Sequence, residues 1–166
     1  TTGSTAVIQG TNGNDTLSGT AADDSFDGGD GVDTVRFSGQ CHDFAITRTA
    51  TGFSAKDNSG AEGTDTVTNV ERLQFADKSI NLTVGTTANT IGTNELNSLV
   101  ELYVAFFNRV PDADGLQGWI NYYASGNTID AIADLFYKAG VIYSDQTGYS
   151  DSMSNADFVR LIYANV

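Results

Sequence analysis

The chain has 166 residues, of which 40% are hydrophobic and 10% aromatic, enough to bury a core and to exclude disorder as its overall state. Asp and Glu number 21 against 8 Lys and Arg, a net charge of −13. This argues against nucleic acid and membrane insertion and favours hard divalent cations that prefer oxygen ligands. The single cysteine, Cys41, excludes an intramolecular disulfide and a cysteine-ligated zinc cluster.

No run of about eighteen apolar residues is present, and the sequence does not open on a basic stretch followed by an apolar one. The first patterned stretch, Gly10 to Arg36, divides without slips into GTNGNDTLS, GTAADDSFD and GGDGVDTVR. Glycine opens each nine (Gly10, Gly19, Gly28), aspartate takes the sixth place (Asp15, Asp24, Asp33), and an apolar residue the eighth (Leu17, Phe26, Val35). Six turn-forming residues followed by three strand residues, one of them inward-pointing, describe a turn and a short strand. If strands alternate between two sides of a flattened coil, two nines complete one winding. Asp15 and Asp33 then stack on one edge and Asp24 falls on the other.

This pattern resembles the RTX calcium-binding nonapeptide repeat, whose consensus is G-G-x-G-x-D-x-U-x. The resemblance implies a short parallel β-roll holding Ca²⁺ between stacked turns. Its ligands would come from Asp15, Asp33 and Asp24, with turn positions Gly10, Asn12, Gly13, Gly19, Ala21, Gly28, Asp30 and Gly31. Such acidic, glycine-rich turns are costly to order without a cation, so binding and folding are expected to coincide. Asp24 is expected to matter less than Asp33, because its own copy is the most degenerate and the position eighteen residues on is His42.

Phe37 to about Leu82 shows short alternating segments such as Asp43–Arg48, Gly52–Ala55 and Asp65–Val67, separated by glycine turns. It reads as a β-meander, and GTDTVTNVERLQFAD with the following INL resembles the cap that closes the C-terminal end of an RTX β-roll. Gly63–Val67 echoes positions four to eight of the repeat, yet Asp65 reads as a solvated turn residue in preference to a ligand. Thr83 to Thr93, small and polar, reads as a linker.

From Asn94 the hydrophobic period changes to three and four: Leu96, Leu99, Val100, Tyr103, Phe106, Phe107 and Val110 predict an amphipathic helix stopped at Pro111. Asp112, Thr128 and Asn155 are expected to cap three further helices. RVPDADGL with Trp119 three residues on resembles a helical domain of unknown function that often accompanies RTX repeats in large secreted bacterial proteins. Residues 162–166 weakly repeat 102–106, which suggests the start of a second copy.

The expected fold class is α+β: a short parallel β-roll over residues 1–36, a β-rich cap over 37–86, and a small α-helical bundle over 87–166. A zinc-protease motif is excluded by the lone His42, and neither a nucleophile elbow nor a Walker loop occurs. The expected function is non-catalytic: a calcium-dependent structural module of a type I secreted extracellular or cell-surface protein. The partners expected are calcium ions and, at the surface, glycan or other subunits of an assembly. The alternatives are a glycan- or ligand-binding module carried by Trp119, Tyr122 and Tyr123, with Tyr122 facing away from Trp119, and the non-catalytic part of a secreted hydrolase or epimerase.

Overall fold

The computed structural model describes residues 4–166. Two compact units divide between Thr83 and Val84. Among the described residues the fold is mixed α and β, with nine strands in two sheets in the first unit and six helices in the second.

The three-residue strands β1 (Val7–Gln9), β2 (Thr16–Ser18), β3 (Ser25–Asp27) and β4 (Thr34–Arg36) alternate between the sheets. β1 pairs in parallel with β3, and β2 with β4, with Ile8 beside Phe26 and Leu17 beside Val35. A single inward side chain per strand suffices because the layers are thin: Phe26 and Val35 are fully buried and Leu17 nearly so. Close approach of successive windings explains two of the opening glycines, Gly10 and Gly28. A Cβ on Gly10 would fall on the Gly28 carbonyl oxygen, and one on Gly28 on the Asn69 carbonyl oxygen.

The chain then leaves the winding. A 3₁₀ turn at Cys41–Asp43 leads into β5 (Phe44–Arg48) and β6 (Phe53–Asp57), an antiparallel hairpin. β7 (Thr64–Thr68) returns to pair in parallel with β3, Val67 beside Phe26, while β6 lies antiparallel on its other side. β8 (Arg72–Gln74) pairs in parallel with β4, Leu73 beside Val35, and β9 (Ser79–Asn81) closes that sheet antiparallel. The expected meander therefore contains another winding of the repeat layers with a hairpin looped out of it. Phe37, Phe44 and Phe75 pack with ring centroids 4.9–5.2 Å apart where the hairpin joins this core.

The helical unit opens with α1 (Val84–Ala88), inside the stretch read as a linker. α2 (Thr93–Phe107), α3 (Ala113–Ala124), α4 (Ile129–Ile142), the short α5 (Ser144–Thr147) and α6 (Asn155–Asn165) follow. Their core is built on Leu99, Tyr103, Phe106, Ile120, Ile132, Phe136 and Tyr149. Asp112 and Thr128 cap α3 and α4 as expected, accepting from Gly115 and Ala131 N–H. α6 is capped by Ser154, which accepts from Asp157 N–H, so the cap lies one residue before the expected Asn155.

Two further expectations are corrected here. Val110 is exposed, because α2 has already ended at Asn108 in a left-handed conformation. Tyr122 lies against Trp119, ring centroids 5.9 Å apart and edge-on, since residues three apart on a helix are neighbours. α6 packs Phe158, Leu161 and Ile162 into this unit's core. Its Asn165 side chain donates to the Ala105 carbonyl at the end of α2.

Candidate metal centre

Two ladders of carboxylates run along the edges of the first unit. On one, Asp33 Oδ1 accepts from Asp15 N–H at 2.8 Å and Glu71 Oε2 accepts from Asp33 N–H at 2.7 Å. On the other, Asp24 Oδ1 accepts from Ala6 N–H at 2.7 Å and Asp65 Oδ1 accepts from Asp24 N–H at 2.8 Å. Asp15 and Asp33 thus share an edge, linked through a backbone donor, and Asp24 stands on the opposite edge.

The residue that stacks on Asp24 is Asp65, 41 positions on, and not His42. The looped-out hairpin displaces the winding, and His42 is an exposed side chain paired with its neighbour Asp43 at 3.2 Å. Asp65 is not a solvated turn residue either: it is 3% exposed. Burial pushes its carboxyl up to about 6, against the opposing pull of the Asp24 N–H, and the charges of Asp24, Glu62 and Asp23 add to the rise. Asp65 and Glu71 were missed as ladder members because the turn between them is three residues shorter than a repeat turn and Glu replaces Asp. The signal that finds them is the apolar pair Val67 and Leu73, each two residues on from its carboxylate.

The three repeat aspartates differ in how the protein satisfies them. Asp15 Oδ2 accepts from Thr11 N–H at 2.6 Å and from the Thr11 hydroxyl at 2.9 Å. Asp24 Oδ2 accepts from Thr20 N–H at 2.5 Å and from the Thr20 hydroxyl at 3.0 Å. Burial raises the Asp24 carboxyl, but these bonds and that from Ala6 outweigh it and hold the group below its ordinary value. Asp33 is fully buried, and its Oδ2 has no hydrogen-bond donor.

Among the described residues no three His, Cys, Asp or Glu side chains converge on one point. Any ion here would therefore need oxygens beyond the carboxylates, and backbone carbonyls of the stacked turns are at hand. A Cβ on Gly29 would fall on the Thr11 carbonyl oxygen, and one on Gly31 within 2.7 Å of that of Gly13. A Cβ on Gly28 would lie 2.6 Å from Asp33 Oδ2. An orphaned buried carboxylate oxygen beside glycine-lined carbonyls fits Ca²⁺, a hard cation that takes six to eight oxygens. Gly10, Gly13, Gly28 and Gly31 lie in these stacked turns, while Asn12 and Asp30 are exposed within them. On the other edge Gly19 and Ala21 belong to a turn that faces Gly63, whose φ is +78° and whose Cβ would lie 2.7 Å from the Ala22 carbonyl carbon.

Residues 2–39 match the family model of the RTX calcium-binding nonapeptide repeat, in four copies. RTX nonapeptide repeats bind Ca²⁺, and such repeats are calcium-binding structural modules typical of secreted bacterial proteins. The match extends beyond the three copies recognised from Gly10 onward. Ile8, nine residues before Leu17 and inward on β1, marks an earlier copy whose sixth position is Ala6, so the missing aspartate hid it. No curated protein matches the chain. No helix among the described residues is long and apolar enough to cross a membrane.

Proposed function

We propose that the chain is a calcium-dependent structural module of a secreted, extracellular or cell-surface protein, exported by a type I route and without catalytic residues of its own. In this reading residues 4–36 form a short parallel β-roll and Phe37–Leu82 its cap. The observation that carries the reading is Asp33, a fully buried carboxylate with one oxygen left bare, which faces the same side of Gly28 as the Asn69 carbonyl. A buried, unpaired carboxylate is costly and a bound cation removes that cost, so calcium stabilises the fold over the unfolded chain. Sites of about 10⁻⁴–10⁻³ M affinity, typical of extracellular modules, fill outside the cell and stay empty inside it.

The test is circular dichroism of the whole chain after calcium removal. Millimolar calcium is expected to raise the β-signal, and magnesium at equal concentration is not, because it gives up its water reluctantly and demands a tight octahedral shell. Identical spectra in chelator and in calcium would overturn the reading.

A second reading concerns the helical unit alone. A cavity of about 720 Å³, lined by Tyr103, Phe107, Trp119, Arg109, Asn108 and Gln146, supports a ligand-binding role, with glycan as the class that aromatic faces and amides suit. A glycan array probed with the chain tests it, and silence across the array removes it.

A further inference from the structure

The second position of each turn separates the three recognised copies. Thr11 and Thr20 occupy it in the first two, and Gly29 in the third. Both threonines build the same network: backbone N–H and hydroxyl donate to the aspartate four residues on, and the hydroxyl oxygen accepts from the N–H at position four. That last bond is 3.2 Å long at both Gly13 and Ala22. Each threonine thus supplies two donors to a carboxylate that would otherwise need a cation, and ties the turn to itself.

Gly29 has no hydroxyl, and its φ of +88° turns the backbone so that its N–H reaches Asp27 Oδ1 at 3.3 Å. Asp33 Oδ2 receives neither donor. A threonine cannot simply be placed there, since a Cβ on Gly29 would meet the Thr11 carbonyl and the positive φ disfavours any side chain.

Resting on the calcium reading above, we propose that Thr11 and Thr20 stand in for calcium in their own turns, so that these close without an ion, and that calcium-dependent ordering is concentrated in the Gly28–Asp33 turn, where Asp33 Oδ2 and the Asn69 carbonyl of the following winding face the same point. The roll then has a metal-independent start and a metal-dependent end. The junction that needs the ion joins the last repeat to β8, through Glu71 and Arg72, whose N–H groups donate to the Asp33 carbonyl.

Hydrogen exchange of the unmodified chain, read by amide in chelator and in millimolar calcium chloride, tests this without a variant that must fold. Amides of Thr20–Asp24 are expected to be protected already in chelator and to gain less than threefold with calcium. Those of Gly28–Asp33 and Asn69–Arg72 are expected to gain at least tenfold. Equal gains in the two turns overturn the proposal while leaving calcium binding intact; no gain anywhere overturns the calcium reading itself. Thr20→Gly adds a second arm. It is expected to expose the Thr20–Asp24 amides in chelator and make their protection calcium-dependent; unchanged protection in chelator would also overturn the proposal.

Discussion

The position-six carboxylates are chemically unequal although the repeat makes them equivalent, and each inequality traces to a named neighbour. Asp33 lacks the donors that Thr11 and Thr20 give its counterparts. Asp33→Asn is therefore expected to shift the calcium midpoint of folding at least tenfold further than Asp24→Asn, which equal shifts in parallel titrations would contradict. Asp65 differs in the other direction, with its carboxyl raised to about 6 by burial first and by the charges around it. Between about pH 4 and 6 the folded protein holds a proton there that the unfolded chain has released. Stability of the calcium-depleted protein from this group is thus fully present below pH 4 and lost as pH rises through 6. Asp24 and Asp57 act oppositely: held below the ordinary carboxylate value, they weaken the fold only as pH falls below about 4. Urea midpoints of calcium-depleted protein at pH 4.5 and 6.5 are expected to differ less in Asp65→Asn than in the parent. An unchanged difference would mean that Asp65 titrates normally.

At the scale of elements, what was legible in the sequence depended on how local the signal was. The nine-residue period located β2, β3 and β4 because every turn and strand obeys the same local rule. The helices α2 to α4 followed from their three-and-four spacing, and their caps from Asp112 and Thr128. The return of the chain to the winding was not legible, since β7 pairs with β3 across a hairpin whose length no local rule sets. That non-local pairing is why His42 was placed where Asp65 stands. Ala6, a position six without its aspartate, concealed β1 for a different reason: the chemistry had gone while the inward Ile8 remained. α1 was hidden because its five residues, Val-Gly-Thr-Thr-Ala, are too few to show an apolar period of their own. The extra winding carries a stability expectation. Leu73, fully buried beside Val35, is expected to cost about 2–5 kcal/mol as Leu73→Ala in calcium. Val32→Ala, half exposed in the adjoining turn, should stay within about 0.5 kcal/mol. Comparable losses in denaturant titrations would mean that the winding through β8 does not share the core of the repeats.

Considered whole, the chain joins two units that are stabilised by different physics. The first pairs a core of eleven buried hydrophobic residues with carboxylates buried along its edges, and in the reading proposed above a cation completes its last repeat. The second buries seven large apolar or aromatic side chains and a glycine among its helices, and its capping residues act without metal. Phe106, Phe136, Tyr149 and Phe158 form a continuous aromatic cluster, with centroids of neighbouring rings 5.6–6.1 Å apart, to which α2, α4 and α6 all contribute. A core of this kind is held by area removed from water and by ring contacts, neither of which responds to calcium. Residues 84–166 expressed alone are therefore expected to be helical in chelator, with a thermal midpoint that moves by no more than about 2 °C on adding millimolar calcium. The fragment must begin at Val84 and not at the expected linker's end, because α1 packs with α3 and the Gln117 side chain donates to the Thr87 hydroxyl at 3.0 Å. A fragment starting at residue 94 should melt lower than one starting at 84. If the longer fragment is unfolded in chelator but helical within the whole chain, the two units depend on one another for folding, and calcium then governs the helices as well as the repeats.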